Sequence, residues 1–450
     1  MRHFARESFA GEDWHARGAH IDSLHRNTIL LASVPLNDAG WKPVPRGAAL
    51  GLRNGRVIAR NYRGQTTIFL FKSWSVPRKG VTRPPHTRYI YPPFPARIAT
   101  VKTCLLLLFL LLSLTPLAEG AVVLQYHHIS EDTPASTSTS PARFAMHLDY
   151  LQEAGFDVVP LQDLVDSLRT GQPPPDRTAA ITFDDGYLSI YDTAWPLLKE
   201  KGWPFTVFVN TEPHDENRPL FMTWDQLREI RAGGATIANH GVSHPYLLER
   251  RPGQGEAAWR AWVRTEIMDA EKRIAEETGE TVKLFAYPFG EYNDAILEIA
   301  DALGYTGFGQ QSGPLGRFSD LRALPRFPFG GTYGDRQDFA TKVNSLPMPL
   351  VAGPDSIRLE AADGEPLNDI VLEGPAVRPV LVLRFEKGFD AGRVNCFVSG
   401  QGQVPVRVDE NRILVQPPHP LPSGRARYNC TAGSGQSGRF HWYSQPWIIK

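Results

Sequence analysis

The chain has 450 residues, of which 42% are hydrophobic and 21% are charged, and its formal net charge is zero. This composition is typical of globular proteins, excludes a wholly disordered or largely membrane-embedded chain, and allows two or three domains. The charge is uneven, because residues 1–100 hold 16 Lys and Arg against 5 Asp and Glu. Since that segment lacks helical periodicity and strand alternation, we interpret residues 1–100 as a non-domain extension, an over-extended start or a disordered arm, with no nucleic-acid partner.

Residues 101–120 have the pattern of a secretory signal peptide. Lys102 supplies a positive start, an apolar run extends from Cys104 to Leu117, and small residues precede a cleavage position after Gly120. The run is too short for a comfortable transmembrane helix. The segment is either an uncleaved anchor behind a cytoplasmic arm or, as we favour, a signal peptide at a true start near Val101, whose removal leaves a mature protein beginning near Ala121. We therefore expect an exported protein, periplasmic or extracellular, that meets the membrane only through this signal.

Export bears on the cysteines, because disulfides form and persist in oxidising compartments. Beyond the signal segment the chain holds only Cys396 and Cys430. We predict a disulfide between them, with two separate buried thiols as the alternative.

Short apolar strands alternate with amphipathic helices in the first predicted domain, residues 121–345. Seven strands are predicted, at 122–126, 158–161, 180–183, 205–209, 236–238, 284–287 and 307–309. This alternation indicates βα units with a parallel sheet. Seven successive units close more naturally into a barrel than into an open sheet, and barrels carry their chemistry at the carboxyl ends of their strands.

The pattern changes in residues 351–450, where strands follow one another without convincing helices. They are predicted at 356–359, 379–385, 393–398, 404–408, 412–415, 426–430 and 440–443. We interpret this region as a small all-β sandwich, an accessory domain. Its aromatic residues Trp442, Tyr443 and Trp447 are compatible with sugar stacking and, more simply, with a place in the core.

Polar side chains end two of the predicted barrel strands. Asp184 and Asp185 precede a turn at Gly186, and His240 and His244 follow a later strand. Two histidines and one carboxylate can hold a metal ion with open positions, while the second carboxylate serves as a base. An Asp-Asp-Gly segment is also an ordinary turn, and a lone histidine is more often structural. The combination at strand ends favours a metal site.

These motifs resemble those of the NodB-type polysaccharide deacetylases, carbohydrate esterase family 4. The resemblance covers about 121–330 and rests on three segments: Thr182-Phe-Asp-Asp-Gly186, His240-x-x-Ser-His244 and Tyr287-Pro-Phe-Gly290. The segment Tyr126-His127-His128-Ile129 is most similar to the branch acting on poly-β-1,6-N-acetylglucosamine. The fold that the resemblance implies is a distorted (β/α)7 barrel, here followed by the small sandwich.

The resemblance also implies a reaction, the metal-dependent hydrolysis of acetyl groups from an N-acetylglucosamine polysaccharide. Asp185, His240 and His244 would be the metal ligands, and Asp184 the general base acting on metal-bound water. The ion would be divalent, usually zinc. The backbone N–H of Phe289 would stabilise the oxyanion.

Two features depart from the wider family. An Arg that often precedes the Pro-aromatic pair and orients the base is replaced by Ala286, and a late Leu-x-His-Asp segment is missing. We hypothesise that Arg326 takes the first role. For the catalytic acid we hypothesise His127, with His128 as the alternative; a purely structural role for His127 is the other interpretation.

Three other functions share some of these features. Non-haem iron oxygenases also use two His and one carboxylate, but adjacent aspartates that precede both histidines on βα units argue against them. A non-catalytic glycan-binding protein on a deacetylase scaffold would be expected to have lost ligands or base, and all four residues are retained. An O-acetyl polysaccharide esterase is the nearest alternative within the class.

Overall fold

The structure is a computed structural model that describes residues 14–16, 19–21, 49–53, 56–60, 120–172, 174–317, 319–374 and 376–450. Apart from Gly120, the predicted signal peptide lies outside the described residues, as does most of 1–100. The chain divides into two units, Met1–Ala99 and Thr100–Lys450. In the described part of the first unit, β1 (Trp14–Ala16) pairs with β2 (Ala19–Ile21), and β3 (Ala49–Arg53) pairs with β4 (Arg56–Arg60).

The second unit begins with a domain in which strands and helices alternate. Its strands are β5 (Ala121–Tyr126), β6 (His128–Ile129), β7 (Ser138–Thr139), β8 (Asp157–Val158), β9 (Thr178–Asp184), β10 (Phe205–Val209), β11 (Ala235–Asn239), β12 (Leu284–Ala286), β13 (Thr306–Phe308) and β14 (Phe327–Pro328). Its helices are α1 (Pro141–Glu153), α2 (Leu161–Arg169), α3 (Trp195–Lys201), α4 (Thr211–Asp215), α5 (Trp224–Ala232), α6 (Glu256–Thr278), α7 (Asp294–Ala302) and α8 (Arg336–Val343).

Eight of these strands form one parallel sheet, in the order β13-β12-β11-β10-β9-β5-β14, with β8 also pairing with β9. All seven strands predicted from the sequence are in it, so the distorted β/α barrel is confirmed. The eighth strand, β14, was not predicted, because two residues ending in a proline carry no strand pattern. It pairs with β5, and just before it Leu324 bridges Phe308, so this segment spans the gap between the sheet's edges.

The helices pack their apolar faces on this sheet, as their periodicity predicts. In α1, Ser140 caps the first turn and Phe144, Leu148 and Leu151 are buried together. Helix α5 opens with the expected capping box, in which Thr223 and Gln226 bond reciprocally. Within the described part of the chain, none of the helices has both the length and the apolar composition needed to cross a membrane.

The remaining strands form the sandwich. They are β15 (Leu346–Pro347), β16 (Ile357–Glu360), β17 (Val371–Leu372), β18 (Val380–Arg384), β19 (Asn395–Val398), β20 (Gly402–Val404), β21 (Val406–Asp409), β22 (Arg412–Val415), β23 (Gly424–Gly433) and β24 (Phe440–Ile449). One sheet has the order β15-β24-β23-β19-β20 with β17 on β24, and the other has the order β16-β18-β22-β21. The single strand predicted at 404–408 is wrong: it is two strands in different sheets, divided at Pro405, which lacks the N–H that a ladder requires.

Aromatic and cysteine residues fill the sandwich core. Cys396 and Cys430 lie opposite each other on β19 and β23 and form the expected disulfide. Trp447 is wholly buried in the same cluster. Trp442 packs edge-on against Phe327 of the barrel, with ring centroids 5.5 Å apart. Trp447 is thus a core residue, whereas Trp442 is half-buried where it packs on the barrel.

Candidate active site

The motifs noted in the sequence meet at the carboxyl edge of the parallel sheet. Asp184 is the last residue of β9, and His240 directly follows β11; both strands flank β10. Parallel strands end at the same edge of a sheet, so these side chains converge although 55 residues separate them. One ligand atom each from Asp185, His240 and His244 lies within 4.8 Å of the others.

This triad has the arrangement of an open metal site. The Nε2 atoms of His240 and His244 lie 3.5 and 3.6 Å from the Asp185 carboxylate. The Nδ1–H of His240 donates to the Ala286 carbonyl at 2.7 Å, which fixes the tautomer and leaves Nε2 as a buried acceptor without a protein partner. Burial lowers the pKa of His244 to about 4, so its imidazole is neutral, the form that binds metals. These donors fit a divalent cation.

The backbone around the triad is in an unusual conformation. Asp185, His244 and Phe289 have positive φ angles of 70°, 51° and 59°, among six such non-glycine residues in the described ranges. A non-glycine residue with a left-handed backbone conformation costs free energy, and such residues cluster at functional sites. Gly186, with φ 73°, packs so closely on His214 that a Cβ would lie 2.7 Å from the ring. The turn that directs Asp185 towards the histidines is therefore tightly constrained.

Asp184 is wholly buried and held by two side chains. Arg326 donates from Nη1 and Nη2 to its two oxygens at 2.7 and 2.8 Å, and Gln125 donates to Oδ2 at 2.6 Å. Burial raises the pKa of Asp184, but the nearby positive charge, mainly that of Arg326, and the hydrogen bonds from Arg326 together hold the pKa well below its usual range. Arg326 itself is fully buried and is anchored by a bond from Nε to the Gly309 carbonyl.

Phe289 sits in a 3-10 turn, Pro288–Gly290, directly beyond β12. The turn closes through the N–H groups of Gly290 and Glu291, which leaves the Phe289 N–H outside the turn's own hydrogen bonds. The Phe289 ring meets the His244 ring edge-on at 4.4 Å and stacks on Tyr246 at 3.9 Å, nearly parallel. A Cβ on Gly290 would lie 2.6 Å from Gln310, so glycine is required for this close packing.

The two histidines after β5 differ in their surroundings. His127 is half-buried, and it lies near enough to Asp184 and His244 for its charge to lower the pKa of both. His128 is buried and stacks on Tyr187 with ring centroids 3.6 Å apart. Burial first, and then the charge of His127, lowers the pKa of His128 to about 4. Of the two, His127 is the one open to a bound molecule.

Three further residues, which the sequence motifs do not indicate, support the site. Glu266 on α6 accepts bonds from the backbone N–H groups of Val242 and Ser243 at 3.0 and 3.2 Å, which holds the loop that carries His244. Asn239 accepts from Gly241 N–H at 2.8 Å. Gln125, described above, had one signal in the sequence: a polar residue in an otherwise apolar strand needs a buried partner. Glu266, in the middle of a helix, had none.

The segment that contains most of these residues matches a known family. Residues 171–308 match the family model described as polysaccharide deacetylase. This region is a polysaccharide deacetylase domain. The NodB-type resemblance drawn from the motifs is thereby confirmed, and the expectation of a hydrolase agrees with the polysaccharide deacetylases that the domain resembles.

The deacetylase domain also aligns with individual proteins. It is similar to a Bacillus subtilis protein named polysaccharide deacetylase YxkH. The two are 27% identical over 45% of this chain and 69% of that protein. The poly-beta-1,6-N-acetyl-D-glucosamine N-deacetylase of Escherichia coli is 24% identical over 46% of this chain but only 36% of that enzyme. The Streptococcus pyogenes deacetylase PplD, solved with acetate, superposes with a TM-score of 0.46 at 23% identity, over 50% of this chain and 99% of that one.

Proposed function

We propose that this protein is a metal-dependent deacetylase that hydrolyses acetamide groups on an N-acetylglucosamine polysaccharide. One observation carries the proposal: a carboxylate held ionised, Asp184, adjoins a triad of ligands, Asp185, His240 and His244, at the open edge of the barrel. An amide is a poor electrophile, and its hydrolysis is accelerated when a Lewis acid polarises the carbonyl while a base takes the proton of the attacking water. The domain brings both sets of residues together.

The triad would hold a divalent ion, and two imidazoles with one carboxylate suit zinc in an open coordination. When bound, the ion would supply Lewis acidity to the acetyl carbonyl and the attacking water. The free Nε2 of His240 supports this assignment, because a buried acceptor without a partner is costly. His240 and His244 would contribute neutral nitrogens, and Asp185 the negative charge.

Asp184 would take the proton from the attacking water. Its low pKa keeps it ionised at neutral pH, so the carboxylate is able to accept a proton, although the same low pKa makes it a weak base. Arg326 and Gln125 fix the carboxylate in one orientation, which lowers the entropy lost on reaching the reactive geometry.

Two further groups complete the proposed mechanism. The Phe289 N–H, which the turn does not use, would donate to the oxyanion that develops on the acetyl oxygen. His127 would give a proton to the leaving amine, since it is the less enclosed of the two histidines beside the triad. The products would be acetate and a free glucosamine unit in the polymer.

The substrate class is proposed from the relatives. Several proteins that align with the domain are named poly-beta-1,6-N-acetyl-D-glucosamine N-deacetylase, from Escherichia coli and Staphylococcus aureus, at 24% and 23% identity. The test is acetate release by the purified full chain from N-acetylglucosamine oligomers with β-1,6 and β-1,4 linkages, and from O-acetylated glycans. Metal content is measured on the same samples.

We expect acetate from β-1,6 oligomers, lost on chelation and restored by zinc. Asp184→Asn should bind metal normally yet release acetate at least about a hundredfold more slowly, the scale of a lost general base. Release only from O-acetylated glycans would identify an esterase instead. A full metal site with no release from any glycan would overturn the enzyme assignment in favour of a glycan-binding protein.

We also propose that the protein is exported. The signal-peptide pattern at 101–120 and the Cys396–Cys430 disulfide both support an oxidising destination. Expression of the full chain in a bacterial host, followed by fractionation and intact-mass measurement, should give an exported form that begins near Ala121. An uncleaved chain in the cytoplasmic fraction, with both thiols free, would contradict this.

A further inference from the structure

The sandwich contacts the barrel at the two loops that follow β12 and β13. Arg425 and Arg427, two residues apart on β23, project from the same face of that strand. Arg425 donates from Nη1 to the Phe289 carbonyl at 3.0 Å, and its Nε lies 3.6 Å from the Glu291 carboxylate. One guanidinium therefore contacts the 288–291 turn at its backbone and at a side chain.

Arg427 holds the neighbouring loop in the same way. Its Nη2 donates to the Gln310 carbonyl at 2.9 Å, and its Nη1 to the Ser312 hydroxyl at 3.3 Å. The two loops also pack on each other, because Gly290 leaves no room for a Cβ against Gln310. Arg425 and Arg427 thus hold the loop after β12 and the loop after β13 against the sandwich, and the two loops pack on each other.

The Phe289 turn needs such support. Phe289 has a φ of 59°, which a bulky non-glycine residue adopts only at a cost in free energy. Its ring and its carbonyl are contacted by residues of different domains. Tyr246 and His244 of the barrel contact its ring, whereas Arg425 of the sandwich contacts its carbonyl. The Phe289 carbonyl and N–H belong to successive peptide groups, so contacts that hold the ring and the carbonyl constrain the N–H through the φ and ψ angles of Phe289.

We propose that the sandwich domain completes the active site, with Arg425 as a positioning residue that holds the Phe289 turn so that its N–H faces the oxyanion. This proposal rests on the proposed deacetylase function. Arg425 does not reach the triad or the substrate itself; it acts through the carbonyl of Phe289. Its contribution should therefore be made to the rate constant rather than to metal binding or to substrate affinity.

The test uses the full chain with Arg425→Met, Arg425→Lys and a control, Arg439→Met. Arg439 is also a sandwich residue that contacts the barrel, where it forms a bidentate ion pair with Asp176. The two N–O distances are 2.6 and 2.8 Å, and the pair does not involve the Phe289 turn. Acetate release gives kcat and KM for each variant. Hydrogen exchange measures protection of the Gly290 and Glu291 amides, a readout independent of activity and metal.

We expect Arg425→Met to lower kcat about tenfold, a fraction of the loss caused by removing an oxyanion donor outright, with KM and bound metal unchanged. The Gly290 and Glu291 amides should exchange faster. Arg425→Lys should recover part of both, since it keeps a charged donor. Arg439→Met should lower the melting temperature while leaving kcat and the two amides as in the wild type.

Wild-type kcat and amide protection in Arg425→Met would overturn the proposal. Equal losses of kcat in the Arg425 and Arg439 variants would also overturn it, because they would indicate domain docking rather than turn positioning. If the wild type releases no acetate, the proposed function fails, and the exchange of the two amides still decides whether Arg425 holds the turn.

Discussion

Arg326 and Asp184, 142 residues apart in the chain, form a bidentate ion pair with no solvent exposure on either side chain. Arg326 precedes β14 in the segment that spans the sheet's edges, and Asp184 ends β9. The same segment therefore closes the barrel and fixes the proposed base. Closure of the fold and orientation of the base cannot be separated in this protein.

Replacing Arg326 should impair both catalysis and stability. Arg326→Lys keeps the charge but cannot bond both Asp184 oxygens, and we expect kcat to fall roughly ten- to a hundredfold with metal content unchanged. Arg326→Met leaves a buried charge unpaired and should cost about 3–5 kcal/mol of unfolding free energy. Denaturant titration and steady-state kinetics measure the two effects.

The control for this pair is Arg322→Met. Arg322 lies in the same segment but forms an exposed pair with Asp320, a type of contact worth about 1 kcal/mol or less. If Arg326→Lys matched this control in both kcat and stability, Asp184 would not depend on a bidentate partner.

Glu266 should control metal affinity without touching the metal. Its carboxylate accepts bonds from Val242 N–H, Ser243 N–H and the Ser243 hydroxyl, all within the loop between His240 and His244. Glu266→Gln removes the charge and should weaken metal binding about ten- to a hundredfold, measured by competition with a chromophoric chelator. Glu276→Gln, on the exposed side of the same helix, should bind metal as the wild type does; equal affinities in both variants would disprove a role for Glu266.

Gly186 should be irreplaceable for two reasons that act together. It has a positive φ of 73°, and a Cβ there would meet the buried His214 ring at 2.7 Å. Gly186→Ala should therefore lower unfolding free energy by about 2–3 kcal/mol and displace Asp185, with loss of bound metal.

Gly253→Ala separates these two reasons. Gly253 has a comparable φ of 78° but nothing within 4 Å of its would-be Cβ. It should lose about 1 kcal/mol from backbone strain alone and keep the metal. Full metal occupancy in Gly186→Ala would show that the turn tolerates a Cβ.

His147 should make the protein less stable in mild acid. It is fully buried, accepts a bond from the Tyr126 hydroxyl at 2.9 Å and donates to the Gly334 carbonyl at 2.6 Å. Burial lowers its pKa to about 4, only partly offset by the Gly334 bond. In the unfolded chain a histidine has a pKa of about 6.5. The free energy of unfolding is therefore greatest above that pH, and it should fall by roughly 2–4 kcal/mol as the pH drops from about 6.5 to about 4.

His147→Gln keeps an acceptor for Tyr126 and a donor for Gly334 but does not titrate. The slope of unfolding free energy against pH between about 4 and 6.5 should therefore be smaller by close to one proton, about 1.4 kcal/mol per pH unit. Urea titrations with a chelator present keep the metal-ligating histidines equivalent in both proteins. Identical slopes would mean that His147 takes up a proton as readily in the native state as in the unfolded state.

Most of the barrel elements and the residues of the candidate site could be predicted from the amino-acid sequence. Strand and helix periodicity located all seven predicted barrel strands and the capped helix at Trp224–Ala232, since these patterns reflect local burial on one face. Asp184, Asp185, His240 and His244 were identifiable because charged residues at the ends of apolar strands need a reason to be there. The family match over 171–308 agrees with that interpretation.

The contacts between distant residues could be read only from the three-dimensional structure. Four of these contacts join residues far apart in the sequence. They are the pairing of β14 with β5, the Arg326–Asp184 ion pair, the hydrogen bonds to Glu266 and the hydrogen bond from Arg425 to Phe289. Periodicity records which side of an element faces the core but not which distant residue it meets there. Hydrogen bonds between distant side chains depend on positions accurate to a fraction of an ångström, and those are set by the packing of the whole domain.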